Sequence, residues 1–299
     1  MRRDDLPGEP ADAVLSLPDR RLVAYRLYGV AEGKPVYFFH GFPGSRLQAA
    51  LVHPQAVAAG VSLVAFDRPG FGRSDPARAF SVESIASDVF DLSQALGHHA
   101  FALLGVSCGG PHALAAARLL PGRVTAVGLL AGIGPMDPPE LSAGQAPLLR
   151  AMFRLARVWP GLISPLLALD RLLFRADAER ALRALASMMT PPDRDLLAAS
   201  PELRSAFAAS LAEAYRHGIG GALQEAGRIA RFEAALLDGI DAPVHVYQSG
   251  HDVNVPPAMG RYLAQRLPNA TYHDCPDEGH LSIVPRCAGD CLRQITRGL

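Results

Sequence analysis

The sequence alternates between short apolar runs and amphipathic stretches, and this alternation constrains the fold more than any other feature. The apolar runs span residues 36–40, 61–67, 101–107 and 124–132, and the amphipathic stretches between them span residues 47–59, 82–96 and 111–120. Short continuous apolar runs are typical of strands that are buried on both faces of a parallel sheet. Helical spacing of apolar residues between such strands predicts β-α-β units, and therefore an α/β fold.

Strand patterns also occur near both ends of the chain. Residues 14–17 and 22–28, joined by Pro18-Asp19-Arg20, predict an N-terminal antiparallel hairpin. Near the C terminus, strands are expected at 244–249 and 270–275, with a helix at 257–267 between them and a final helix from about Ser282. The expected sheet is thus mostly parallel, with an N-terminal hairpin and flanking helices.

Residues 136–237 interrupt the alternation. They contain no strand-like run, are rich in Ala, Leu and Arg, and are broken by Pro138-Pro139, Pro160-Gly161 and Pro191-Pro192. We expect short helices inserted after the fourth parallel strand, so that residues 1–135 and 238–299 form the α/β core and residues 136–237 form a helical cap. Such a cap would cover the carboxyl edge of the sheet, where open α/β folds bind ligands.

The charge composition argues against nucleic acid or an anionic membrane as a partner. The 299 residues include 29 basic and 29 acidic side chains, with no dense basic run. The first seven residues are charged but are not followed by an apolar segment, so we predict no secretory signal. No apolar run approaches the length of a membrane span. We therefore expect a cytoplasmic protein that binds neither nucleic acid nor a membrane.

The cysteines and paired histidines do not predict a disulfide or a metal site. Cys108, Cys275, Cys287 and Cys291 form no C-x-x-C pair, and free thiols suit the expected cytoplasmic location. His98-His99 lack partners at ligand spacing, so we expect no bound metal ion and interpret both as solvated loop residues.

The pentapeptide Gly105-Val106-Ser107-Cys108-Gly109 lies between an apolar run and a helix-like stretch. A serine at the centre of a sharp turn between a strand and a helix is a candidate nucleophile. Such a turn strains the backbone and brings the strand close to the helix, and the glycines at 105 and 109 leave room for that contact. The central residue is the exposed one, so Cys108 is expected to contribute its backbone amide and not a thiolate nucleophile.

A serine nucleophile needs a base, usually a histidine that is oriented by a carboxylate. Asp252 follows the penultimate predicted strand and His280 follows the last one. Because the carboxyl ends of parallel strands lie at one edge of a sheet, Ser107, Asp252 and His280 can meet there. Their order along the chain is that of α/β-hydrolases.

Other acids and bases lie near these two residues but are less well placed. The rival bases are His245, His251 and His273, and the rival acids are Asp238, Asp241, Asp274 and Asp277. His245 and His273 fall inside predicted strands, and His251 adjoins Asp252. The four aspartates flank strands, in turns where aspartate is a common residue.

Five motifs in this order resemble those of the α/β-hydrolase superfamily, in the branch of small bacterial esterases, cofactor-free haloperoxidases, epoxide hydrolases and proline iminopeptidases. The resemblance extends from about residue 20 to the end. Besides the serine pentapeptide, it includes His40-Gly41-Phe42-Pro43-Gly44, Asp67-Arg68-Pro69-Gly70-Phe71-Gly72-Arg73-Ser74 and the loops that carry Asp252 and His280.

The resemblance implies roles for several further residues. The backbone N–H groups of Phe42 and Cys108 would form an oxyanion hole, and His40 would orient the loop that contains Gly41. Asp67 and Arg68 would brace their turn, and we expect Arg73 to be solvated.

Gly70-Phe71-Gly72 does not predict a dinucleotide-binding loop, because Asp75 occupies the position of the third glycine. We expect no cofactor.

These residues predict a serine hydrolase that cleaves a carboxylic ester, lactone or thioester through an acyl-enzyme. Serine at position 107 disfavours epoxide hydrolase and dehalogenase chemistry, which uses a carboxylate nucleophile. The alternatives at the same site are an acyltransferase, a haloperoxidase-like enzyme, a peptidase or a lyase. A further alternative, from another functional class, is a non-catalytic ligand binder. The Leu, Ala, Met and Phe residues of the expected cap favour a small-molecule substrate with an apolar acyl or alcohol part. The sequence leaves the oligomeric state open.

Overall fold

The apolar runs form the strands of one mixed sheet in the computed structural model, which describes residues 11–299. The strands are β1 (Asp12–Ser16), β2 (Leu22–Gly29), β3 (Lys34–Phe39), β4 (Val61–Phe66), β5 (Phe101–Val106), β6 (Val124–Leu130), β7 (Val244–Ser249) and β8 (Ala270–Cys275). Their order across the sheet is β1-β2-β4-β3-β5-β6-β7-β8. β1 and β2 form the predicted antiparallel hairpin, β2 also runs antiparallel to β4, and the remaining neighbours are parallel.

Helices occupy the segments between the strands. They are α1 (His53–Ala58), α2 (Ile85–Leu96), α3 (Gly109–Leu119), α4 (Pro147–Val158), α5 (Ser164–Ala176), α6 (Ala178–Ala186), α7 (Pro191–Ala199), α8 (Pro201–Ala214), α9 (Gly220–Ile229), α10 (Pro257–Arg266) and α11 (Ile283–Ile295). Short 3₁₀ segments lie at Arg46–Val52, Pro160–Ile163 and Ala234–Leu237. Within residues 11–299, no helix has the length and apolar character needed to cross a bilayer.

Both faces of the sheet are covered, which explains the continuous apolar runs. Every residue of β4 and β5 is buried. Side chains of α1 and α11 belong to the apolar cluster on one face, and side chains of α2, α3 and α10 belong to the cluster on the other. The predicted α/β architecture is confirmed.

The predicted helix at residues 47–59 differs from the observed structure. It is a 3₁₀ segment followed by α1, with the His53 N–H donating to the Ala50 carbonyl at the junction. Pro54 lies in the first turn of α1 and has no N–H, so it cannot continue a hydrogen-bond ladder from the preceding turn.

Six helices, α4 to α9, lie between β6 and β7, and no strand occurs there. We call residues 136–237 the helical segment. One of its apolar faces packs in a third cluster that also contains Phe71 and Cys108 from the sheet loops. The division of the chain into a core and a cap domain stays a prediction. The predicted absence of a secretory signal concerns residues 1–7, which lie outside the described residues.

A buried arginine ties three parts of the chain together. The Arg46 guanidinium is 1% exposed and contacts Asp67 Oδ2 at 2.6 Å, Asp12 Oδ2 at 2.5 Å and Glu213 Oε1 at 3.0 Å. These acids lie in β1, in the loop after β4, and in α8. Burial alone would raise the pKa of Asp12, but hydrogen bonds from Arg46 and Arg26 lower it to about 2. Arg46 therefore joins the hairpin and the helical segment to the sheet.

We expect Arg46→Ala to lower the free energy of unfolding by about 3–5 kcal/mol, because it leaves the fully buried Asp67 carboxylate without its counter-charge. Urea denaturation measures the change. The control is Arg266→Ala, which removes an exposed ion pair with Asp238 and is expected to cost at most about 1 kcal/mol. Equal losses in the two variants would contradict a special role for the buried arginine.

Candidate active site

Three loops at the carboxyl edge of the sheet bring the predicted triad residues together. Ser107 follows β5, Asp252 follows β7 and His280 follows β8. His280 Nε2 lies 3.0 Å from Ser107 Oγ, and His280 Nδ1 lies 2.8 Å from Asp252 Oδ2. These distances are within hydrogen-bond range, so the imidazole connects the hydroxyl to the carboxylate.

The backbone at Ser107 has the strain that the pentapeptide predicts. Its φ angle is +52°, which non-glycine residues rarely adopt. The strand and the helix are also close, because a Cβ atom on Gly109 would lie 2.2 Å from the Phe39 carbonyl oxygen. A Cβ atom on Gly105 would lie 2.9 Å from Gly110 Cα. Both glycines therefore provide the space for a turn that presents the serine.

Asp252 is fixed by hydrogen bonds within its own loop. Its Oδ1 accepts the backbone N–H groups of Asn254 and Val255, each at 2.8 Å. Its Oδ2 accepts the Ser249 hydroxyl at 3.1 Å and faces His280. The carboxylate is 4% exposed, so its orientation is defined by these partners. A carboxylate accepts hydrogen bonds only, so His280 carries its proton on Nδ1 and offers Nε2 to the serine.

The surroundings of His280 in the protein stabilise its protonated imidazole more than bulk water would. Burial alone would lower the pKa of His280, but the charge and hydrogen bond of Asp252, together with the charge of Asp193, raise it above the ordinary value of 6.5. A base that is stronger than a free histidine suits removal of a hydroxyl proton.

The loop after β3 lies against Ser107. A Cβ atom on Gly41 would lie 3.5 Å from Ser107 Cβ, and the Gly41 N–H donates to Gln48 Oε1 at 2.6 Å. His40 Nδ1 donates to the Gly41 carbonyl at 2.9 Å, and His40 Nε2 accepts the Arg68 N–H at 3.3 Å. Burial and the Arg68 charge hold the pKa of His40 well below 6.5, so the ring is neutral. These contacts connect His40 to the loop, and its role in orienting that loop stays a prediction.

A buried ion pair between Arg68 and Glu225 supports the same loop. Arg68 donates to the carbonyls of His40 and Gly41, and its guanidinium contacts Glu225 of α9 at 2.5 and 2.7 Å. Both charged side chains are fully buried. Burial would raise the pKa of Glu225, but the charges and hydrogen bonds of Arg68 and His112 together outweigh it and lower the pKa to about 2. Glu225 of the helical segment therefore supports the loop through Arg68.

Two backbone amides are available beside Ser107. Phe42 and Cys108 both line the space in front of the serine. Within residues 11–299, neither N–H group donates to another backbone group. The Cys108 thiol is 3% exposed, and burial raises its pKa to about 12, so it is not a thiolate at neutral pH.

A cavity of about 330 Å³ adjoins Ser107 and His280. Its walls come from the strand-end loops and from helices α4 to α8. Apolar lining residues include Leu149, Met152, Phe153, Leu166, Leu167, Phe207 and Leu211. Polar lining residues include Gln48, Asp170, Thr190, Asp193 and Asn254. The lining of the cavity is thus mainly apolar, with few polar side chains.

A family model for the alpha/beta hydrolase fold matches residues 34–286 of this chain. The chain belongs to the alpha/beta hydrolase fold family. The resemblance inferred from the five motifs is confirmed by this match and by the strand order described above.

Two relatives of this chain carry haloperoxidase names. A non-heme chloroperoxidase from Streptomyces lividans is 34% identical over 116 residues, which are 38% of this chain and 42% of that protein. A protein from Mycobacterium tuberculosis that carries a non-heme bromoperoxidase name, BpoC, is 27% identical over 265 residues, 85% of this chain and 89% of that protein.

A solved structure of an esterase also resembles this alpha/beta hydrolase. The thermophilic esterase from Thermogutta terrifontis superposes with a TM-score of 0.68 at 22% identity, covering 96% of this chain and 98% of that one. The likeness shows a shared fold.

The other histidines do not join the triad. His245 Nδ1 and His273 Nε2 lie 3.1 Å apart across β7 and β8, so these two side chains contact one another. The prediction of a solvated side chain is wrong for His98, which is half-buried and has its Nδ1 2.9 Å from the Tyr37 hydroxyl, while His99 is exposed.

Three further side chains hold the loops of the site and were not predicted from the sequence. Gln48 binds the loop after β3, Glu225 binds Arg68, and Asp193 accepts backbone N–H groups from the loop of His280. A Thr-x-x-Asp pattern at Thr190 was the available signal for Asp193, because this pattern is typical of a helix start, but it does not indicate a contact elsewhere in the chain.

We expect Gly109→Ala to destabilise the protein by about 1–3 kcal/mol or more, because the new Cβ atom would overlap the Phe39 carbonyl. Urea denaturation tests this. Gly220→Ala is the matched control, since a Cβ atom there meets nothing within 4 Å and alanine favours the helix. If both variants keep the stability of the parent, the close strand-helix contact is not required.

Proposed function

We propose that this protein is a serine hydrolase that cleaves a carboxylic ester, lactone or thioester. The observation that carries the proposal is the continuous hydrogen-bonded series of Asp252, His280 and Ser107, with separations of 2.8 and 3.0 Å. The shared fold of the esterase from Thermogutta terrifontis is consistent with it.

In the proposed mechanism, His280 Nε2 takes the Ser107 proton while Oγ attacks the substrate carbonyl carbon. The carbonyl oxygen becomes an oxyanion and accepts the N–H groups of Phe42 and Cys108, each worth about 3 kcal/mol of transition-state stabilisation. The tetrahedral intermediate collapses, His280 gives its proton to the leaving oxygen or sulfur, and an acyl-enzyme remains. Water, deprotonated by His280, then releases the acid and restores the serine.

The substrate in this proposal is a small molecule with an apolar acyl or alcohol part. The cavity volume of about 330 Å³ lies within the range of small-molecule sites. Its walls are mainly Leu, Met and Phe side chains, which favour apolar groups through burial. A preference for short, charged esters over hexanoyl and octanoyl esters would contradict this assignment.

A second candidate is transfer of the acyl group to an acceptor other than water. Two relatives carry haloperoxidase names, and these names favour a peroxide as the acceptor. The first half of the reaction is the same, and the peroxide oxygen replaces water in the second half. Product analysis with an ester and added hydrogen peroxide separates the two. Peracid formation with negligible hydrolysis would favour the second candidate over the first.

We expect wild-type protein to hydrolyse p-nitrophenyl acyl esters and to be labelled by a serine-directed phosphonate. Ser107→Ala is expected to lose labelling and at least about 10³-fold of kcat/KM, because the nucleophile is absent. Ser205→Ala, at an exposed serine, is the control and is expected to keep both. Equal labelling of Ser107→Ala and wild type would exclude Ser107 as the nucleophile, and no turnover from acetate to octanoate would favour a ligand binder.

The acidic limb of the kcat/KM profile is expected to have its midpoint above pH 6.5. Only neutral His280 can accept the serine proton, and the pKa of His280 in the free enzyme is raised, so activity appears as pH increases through that value. The rates of p-nitrophenyl ester hydrolysis between pH 5 and pH 9 measure it. A midpoint well below 6.5 would argue against His280 as the base.

A further inference from the structure

One buried carboxylate of the helical segment binds the loop that carries His280. Asp193, in α7, is 4% exposed. Its Oδ2 accepts the His280 N–H at 3.1 Å, and its Oδ1 accepts the N–H groups of Leu281 and Ser282, each at 2.9 Å. Three consecutive backbone donors therefore converge on a single side chain that precedes them by almost ninety residues in the sequence.

The surroundings of Asp193 are shaped for this contact. The hydroxyl of Thr190, which immediately precedes α7, donates to Asp193 Oδ2 at 3.1 Å and so fixes the carboxylate. On the other side, a Cβ atom on Gly279 would lie 2.4 Å from Asp193 Oδ1 and 2.6 Å from its Cγ. Glycine at position 279 thus allows the carboxylate to approach the backbone beside His280.

We propose that Asp193 is a positioning residue that holds the His280 loop so that the imidazole reaches Ser107. This inference rests on the proposed serine hydrolase function. A negative charge on Asp193 is favourable because Leu281 and Ser282 immediately precede α11. The unpaired N–H groups and the helix dipole at that end of the helix attract an anion. The anchor belongs to the helical segment, so that segment contributes to the geometry of the triad as well as to the cavity.

Asparagine cannot replace this carboxylate. Its side chain has one acceptor oxygen and an NH₂ group that donates, whereas the loop and Thr190 present four donors to two oxygens. At least one buried N–H group would lose its partner and face another donor. The loop would then shift, and a displacement of about 1 Å at a catalytic group can cost roughly 10²-fold in rate.

The charge of Asp193 also acts on the imidazole. The carboxylates that face His280 are Asp252, from the loop after β7, and Asp193, from α7, and both raise the pKa of His280. Glu278 lies in the same loop but is engaged with the Ser282 hydroxyl and with Arg286. Loss of the Asp193 charge therefore moves the acidic limb of the activity profile to lower pH.

The test compares Asp193→Asn with Asp195→Asn. Asp195 lies in the same helix and is exposed, so the control makes the same change of charge without touching the loop. With p-nitrophenyl butyrate, after active-site titration with a phosphonate, we expect Asp193→Asn to lower kcat roughly 10- to 100-fold with KM changed less than about threefold, and to shift the acidic limb to lower pH. Asp195→Asn is expected to match wild type in all three quantities.

A third variant separates positioning from charge. Thr190→Val removes one hydrogen bond from Asp193 but keeps its charge, so kcat is expected to fall by a smaller factor while the acidic limb stays in place. The proposal is overturned if titrated Asp193→Asn has the wild-type kcat and the wild-type acidic limb. In that case, any loss of activity before titration would reflect only a smaller folded fraction.

Amide hydrogen exchange at residues 280–282 provides a readout that does not depend on turnover. Exchange is expected to be faster in Asp193→Asn than in wild type and in Asp195→Asn, because the three N–H groups lose their acceptor. If wild type shows no turnover and no phosphonate labelling, the proposed function fails, whereas unchanged exchange in Asp193→Asn rejects the anchoring itself.

Discussion

Backbone N–H groups of the site loops donate to buried side-chain oxygens, and the geometry of the site depends on this interaction. Asp252 accepts two such groups in its own loop, and Asp193 accepts three in the loop of His280. Asp67 accepts the N–H groups of Arg46 and Arg73, and Gln48 accepts that of Gly41. A buried N–H group without a partner costs about 1–3 kcal/mol, so each of these oxygens restricts its loop to one arrangement.

Buried charges also fix the helical segment against the sheet. Glu225 of α9 contacts Arg68, which in turn donates to the carbonyls beside the candidate oxyanion hole. Glu213 of α8 contacts Arg46, which also contacts Asp67. Removing charges from water has a large cost, and a buried pair is a weak source of net stability. Breaking one of these pairs is nevertheless costly, so they favour a single placement of the helices relative to the loops.

The strands, and the proximity of the three predicted triad residues, could be predicted because both follow from local patterns. Buried parallel strands require continuous apolar runs, and parallel strands place their carboxyl ends at one edge, which is enough to bring Ser107, Asp252 and His280 together. Asp193 and Glu225 could not be predicted in this way. Each lies in a helix whose spacing of apolar residues specifies a buried face but not the loop that the face meets. Their partners lie far away in the sequence, and only the packing of the helical segment determines the pairing.

In the proposed mechanism, the arrangement of Ser107, Asp252 and His280 would serve hydrolysis and acyl transfer equally, because His280 would remove a proton from whichever acceptor attacks the acyl-enzyme. Selection between water and another acceptor therefore has to come from the cavity. Its walls are mainly apolar, and its polar groups are few, with Thr190 and Asp193 among them and both engaged in holding the His280 loop. In this proposal a large acyl group would fill the apolar part and exclude acceptors larger than water, whereas a smaller acyl group would leave room for such an acceptor. The balance between the two reactions should thus follow the size of the acyl group more closely than the strength of the base.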